Sequence, residues 1–207
     1  MPGWIDDLQG AQSVIRAGPR EAGAPAVALT TVMWFWALED ADQQRLLHLT
    51  QVSFNGHREA WAFALAQIYW LRGDRLRARA YADSARQAYE ALLRTRRNDY
   101  TDAIRHASLG LMLAFLDRKS DDIREGERGR ALLPVTKDAV YGVWIQRQLA
   151  RSYLLVGEPD RALDLLEPLL EQPSYLGPGW LRIDPTPASL RGNPRFERLA
   201  ATTPAGR

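Results

Sequence analysis

The chain has 207 residues, 46% hydrophobic and 25% charged, with 27 basic against 25 acidic side chains and no cysteine. That composition supports a sizeable core and argues against disorder as the dominant state. A net charge of +2 offers no broad attraction for nucleic acid or a membrane surface, and the lack of cysteine excludes disulfides, thiolate metal sites and cysteine nucleophiles.

The first 23 residues carry a weak helical stripe at Ile5, Leu8, Ala11 and Ile15, ended by Gly18-Pro19. Asp6 and Asp7 sit where the apolar run of a secretory signal would begin. The most hydrophobic window, Ala26 to Leu38, is too short to span a bilayer as a helix. A soluble, cytoplasmic chain with no membrane insertion is expected. Within that window Thr30–Trp36 reads as part of a buried helix, with a strand as the competing assignment because β-branched and aromatic residues dominate. A short helix is expected over Asp42–Leu49.

From Arg58 the pattern sharpens. Trp61, Leu65, Ile68 and Tyr69 recur at helical spacing, and Gly73 is suited to the left-handed residue that ends a helix. Asp74 is placed to cap the next helix, in which Ala78, Ala82 and Ala85 form a small-residue seam for a close antiparallel neighbour. Arg94, Arg96 and Arg97 crowd its C-terminus, where positive charge complements the helix dipole.

The unit then returns twice. Thr101–Leu116 and the segment opened by Asp121 and Asp122 make a second hairpin, stopped by Pro134; Val140–Val156 and Asp160–Leu170 make a third. The first and third copies share four landmarks at one spacing, Ala66-Tyr69-Gly73-Ala78 and Ala150-Tyr153-Gly157-Ala162. The middle copy reads Gly110-Leu113-Asp117-Asp122, so its turn glycine and its last alanine are lost. Repeats of this size mean stacked helical hairpins, each burying its face on its neighbours.

From Pro173 onward, prolines and glycines break the helical pattern. Trp180, Leu181 and Ile183 are expected to pack as an extended segment over the last hairpin. Asn193-Pro194 should start a short terminal helix with Phe196, Leu199 and Ala200 on its apolar face. The domain reading is therefore residues 1–57 as N-terminal helices and a degenerate first repeat, 58–172 as three hairpins, and 173–207 as a cap.

The four landmarks, with Pro134 at a repeat end, resemble tetratricopeptide (TPR) repeats, although the period exceeds the usual ~34 residues. The tail is similar to the LxGxPRF-type ending that follows such arrays in bacterial multidomain signalling proteins, among them serine/threonine kinases, adenylate cyclases and transcriptional regulators. The resemblance implies an all-α, right-handed superhelical stack of antiparallel helix pairs with a Pro/Gly-rich cap. It implies the docking half of a signalling protein without its output domain. It also implies that ligand-facing residues come from the first helix of each pair. Carried onto this sequence these are Phe63, Gln67 and Trp70, then Leu111 and Phe115, then Trp144, Arg147 and Arg151. Arg147 and Arg151 would pair with carboxylates of a peptide or partner protein, and Trp70 and Trp144 would offer stacking surface. Replacing both arginines with alanine is then expected to weaken binding and leave the helical signal intact. The competing reading makes the aromatic members of this set core between adjacent pairs.

Nothing in the sequence assembles a catalytic centre. His48, His57 and His106 lack the spacing of a helical metal pair, and their expected roles are solvent-facing or capping. No phosphate-binding loop or G-x-S-x-G element occurs, and Gly126 and Gly129 read as packing glycines. Arg72, Arg75, Arg77 and Arg79 are interrupted by acids and read as a solvated, salt-bridged face. The expectation is a non-enzymatic interaction scaffold with no cofactor, metal or nucleic-acid ligand. Self-association, or packing on a signalling domain of another chain, is the second reading; a small-molecule sensor with Trp34–Trp36 lining a pocket is the third.

Overall fold

A computed structural model describes Gln9, Gln12 and residues 37–95, 98–171 and 176–201. The expectations for residues 1–23 and for Thr30–Trp36 fall outside the described residues. Among the described residues the chain is all-α, without strands, and its helices pack mostly with their sequential neighbours. Nine α-helices are seen there. A short α1 (Asp40–Leu47) precedes α2 (Arg58–Leu71) and α3 (Arg75–Thr95), then α4 (Asp99–Phe115) and α5 (Lys119–Leu132). The pair α6 (Tyr141–Leu155) and α7 (Pro159–Glu171) follows, and α8 (Pro178–Ile183) and α9 (Pro194–Ala201) close the described chain.

The three hairpins turn in the same way. Gly73 and Gly157 both take φ of +78°, and in the middle copy Asp117 takes φ of +60°. Each turn is closed by one bond in which the residue after the left-handed position donates its N–H five residues back. The pairs are Asp74 to Tyr69 (2.9 Å), Arg118 to Leu113 (2.9 Å) and Glu158 to Tyr153 (2.8 Å). This is the C-terminal motif that satisfies helix carbonyls left without an intrahelical donor. Loss of the glycine at 117 therefore leaves the turn geometry unchanged, because aspartate is among the few residues that tolerate the left-handed region. Asp74 caps α3 through the Arg77 N–H (3.0 Å), and the Asn98 side chain accepts from the N–H groups of Tyr100 and Thr101 to start α4.

Small residues set how closely the helices meet. Ala66, Ala78, Ala82 and Ala85 are fully buried along the α2–α3 seam. The α4–α5 contact, the most extensive among the described helices, is glycine-made. A Cβ at Gly129 would sit 2.8 Å from the Ala103 carbonyl oxygen, and one at Gly110 would sit 3.1 Å from the Asp122 oxygen and the Gly126 nitrogen.

Asp122 stands in the first turn of α5 and is fully buried where α5 meets Gly110 of α4. One feature departs from expectation. The Trp180 segment is helical, with Pro178 at its first turn. Leu176, Trp180, Leu181, Leu190 and Phe196 of the tail share one core cluster with Leu163, Leu166 and Leu169 of α7.

Candidate functional site

The six residues expected to line a groove lie inside the protein or are covered. Phe63, Gln67, Trp144, Arg147 and Arg151 are each 0–2% exposed. Phe63 and Trp144 share a core cluster with Leu111 and Phe115, because the inner faces of the three hairpins converge. Trp70 is half-buried, with Phe115 stacked on its ring at 4.2 Å and the Arg75 guanidinium 3.6 Å from its centroid. In this structure these side chains line no open groove.

The polar members of the set nonetheless meet. Arg151 Nη1 on α6 donates to Gln67 Oε1 on α2 at 2.9 Å and to Gln148 Oε1 at 2.7 Å. The Arg147 guanidinium lies 5.9 Å from the Trp180 ring, whose Nε1–H donates to Asp184 Oδ2 at 2.8 Å. Burial draws Arg151 down to about 9 against the pull of the Asp184 carboxylate, with Arg147 adding repulsion, so it is charged at neutral pH. The Nε2 amides of Gln67 and Gln148 find no acceptor. A donor-rich centre thus ties the first hairpin to the third.

An open concave surface lies elsewhere. A cleft of about 510 Å³ opens between α3 and α5, with α4 as its floor. From α4 it takes Asp99, Asp102, His106, Leu109 and Leu113, which recur at helical spacing on one face. At about 100° per residue, Leu111 and Phe115 lie roughly half a turn away on the same helix. The cleft is therefore on the side of α4 opposite the expected groove. The α3 wall supplies Glu90, Leu93 and Arg94. The α5 wall presents Arg118, Arg124 and Arg128, with Asp121 and Glu125 lower on the wall and Leu132 at its end.

Midway along the floor His106 is almost buried and its Nδ1 lies 2.6 Å from Glu125 Oε2. Burial pushes the Glu125 carboxyl up, but the His106 hydrogen bond and the charges of His106, Arg128 and Arg124 outweigh it. The group is held below the usual carboxylate range. An ionised Glu125 accepts the proton carried on His106 Nδ1. This pair was not anticipated: the two residues are 19 positions apart on different helices. The usable signal was their comparable distance from the turn at Asp117, which opposes them once the hairpin closes.

Other residues weighed from sequence have structural partners. Arg79 pairs with Asp117, Arg72 with Asp40 and Arg77 with Asp74, so that arginine group is an ion-paired surface. No group of three or more metal-ligating side chains occurs among the described residues, nor does a helix long and apolar enough to cross a membrane.

Fold and site together define an all-helical protein of stacked hairpins with an open, charge-rimmed cleft. Comparison with family models, curated proteins and solved structures gave no significant match to any of them.

Proposed function

We propose that this chain is a non-enzymatic interaction scaffold of the tetratricopeptide-like kind, and that its docking surface is the α3–α5 cleft. The observation that carries this reading is the cleft itself. It is open to solvent and sets the half-buried Leu93 and Leu132 beside exposed arginines on one wall. Buried apolar anchors with a charged rim are the usual make-up of a protein interface. The three matching turns support the repeat architecture. Burial of Phe63, Gln67, Trp144, Arg147 and Arg151 argues against docking on the inner face.

Selection from a random peptide library against the full chain tests the proposal. Selected ligands are expected to lose about tenfold or more in affinity, roughly 1.4 kcal/mol, on Arg128→Glu or Leu132→Glu. They should keep their affinity on Leu76→Glu, a change at a position 82% exposed on α3 that is not among the cleft residues. Ligands indifferent to both cleft substitutions would overturn it.

A further inference from the structure

We propose that Asp122 is a proton-operated catch that holds α5 against α4 and α6, so that the α5 wall of the cleft loosens as the medium becomes less acidic. The control of docking that follows rests on the cleft being the docking surface; the catch itself does not.

The seam position of the first and third hairpins is an alanine, Ala78 and Ala162, fully buried in both. The middle hairpin has a carboxylic acid there, buried just as completely. A buried acid costs stability where alanine costs none, and departures of this kind gather at functional positions. The Ser152 hydroxyl of α6 lies beside the carboxyl. On the α4 side, a Cβ at Gly110 would sit 3.1 Å from the Asp122 carbonyl oxygen and 3.3 Å from Oδ1. One turn further along α5, a Cβ at Gly126 would meet Leu149 of α6 at 2.6 Å. Three helices thus close over a carboxyl that solvent does not touch. The neutral acid fits this site. The carboxylate has one hydroxyl beside it where a buried charge needs several donors or a cation, and water reaches it only when the first turn of α5 moves away.

Charged groups on the surrounding elements are engaged elsewhere. On α5, Asp121 bonds Arg118 and Arg124, and Lys119 bonds Glu158. Glu125 pairs with His106 of α4, and Asp117 in the turn pairs with Arg79. Arg151, next to Ser152 on α6, bonds Gln67 and Gln148. Burial alone drives the Asp122 carboxyl upward, to about 7, against the Ser152 hydroxyl. A carboxyl raised in the closed arrangement weakens that arrangement as pH rises from about 4 to 7, and the closed form stays weaker above. The same helix lines the cleft with Arg118, Asp121 and Arg124, so moving its first turn moves that wall.

Hydrogen exchange of the full chain at about pH 5 and pH 7.5, corrected for the intrinsic pH dependence of exchange, tests the catch. Residues 118–126 should lose about tenfold or more protection at the higher pH and fall below the best-protected amides of α2. Asp122→Asn keeps the shape and cannot ionise, and Asp122→Ala places there the alanine of the other copies; each should remove the difference. Both variants leave His106 and Glu125 untouched, so a pH response of that pair would persist in them. A loss that persists in both variants, or residues 118–126 as protected at pH 7.5 as the best amides of α2, would overturn the catch. Library ligands that depend on Arg128 or Leu132 should bind the natural chain several-fold more weakly at pH 7.5 than at pH 5, and both variants equally at the two values. If such ligands show the same pH response in the variants as in the natural chain, control of docking falls and the scaffold reading stands. If the ligands ignore Arg128 and Leu132, the scaffold reading falls and the exchange result still decides the catch.

Discussion

Asp122 stands where the first and third repeats carry the seam alanines Ala78 and Ala162. Its carboxyl is fully buried, with the Ser152 hydroxyl beside it. Burial raises it from 3.8 to about 7, with the Ser152 hydroxyl opposing the shift. As pH rises from about 4 to 7 the unfolded chain ionises this group before the folded chain does. Its contribution to stability therefore falls across that window and remains low above it. A shift of about three units corresponds to up to about 4 kcal/mol. Asp122→Ala should accordingly raise the melting temperature at pH 8, with an advantage that shrinks on acidification toward pH 4. A constant difference between pH 4 and pH 8 would contradict this. Its alignment with the seam alanines marks it as facing a neighbour, and the room for it there is made by Gly110 of another helix.

At the level of elements, the hairpins were legible because their signals are local. Helical spacing, the residue at each turn and the caps at Asp74 and Asn98 are written within a few positions of one another. Asp117 shows why the middle hairpin turns in the same way as the other two: the turn requires a tolerated left-handed residue, which glycine supplies most easily but not alone. The Trp180 segment was misjudged as extended, since Gly177-Pro178 reads as a break and also makes a good helix start. Glycines in α5 exact a different condition. Gly129→Ala would place its methyl 2.8 Å from a backbone oxygen of α4. Because backbone cannot step aside as a flexible side chain can, a loss of about 1–3 kcal/mol is expected in chemical denaturation. Gly73→Ala meets no neighbour and strains only its own positive φ, so its cost should be about 1 kcal/mol.

For the whole molecule, packing between sequential neighbours is what a stack of hairpins predicts. The contact of Arg151 with Gln67, 84 residues away, is not local and couples the first hairpin to the third. Removing the guanidinium leaves two buried amide oxygens without their donor, each costing about 1–3 kcal/mol. Arg151→Ala should therefore lower stability by roughly 3 kcal/mol and speed amide exchange in α2 as well as in α6. A double-mutant cycle with Gln67→Ala is expected to return a coupling of about 1 kcal/mol or more; a coupling near zero would deny the link. Alanine at both Arg147 and Arg151, which from sequence tests binding alone, is thus expected to weaken the fold.

By itself the sequence determined the helices and the three turns. Each is decided by residues within one or two helical turns of each other, or by a spacing that repeats along the chain. Only the tertiary structure decided which surface is inside and which is open. The inner positions of α2, α4 and α6 look alike in sequence whether they line a groove or fill a core. The outcome depends on how nearly three helices converge across more than eighty residues, and here they converge enough to bury Gln67, Trp144 and Arg151. The same packing leaves α3 and α5 apart over α4, so the exposed cleft lies on the face where sequence periodicity alone placed no site.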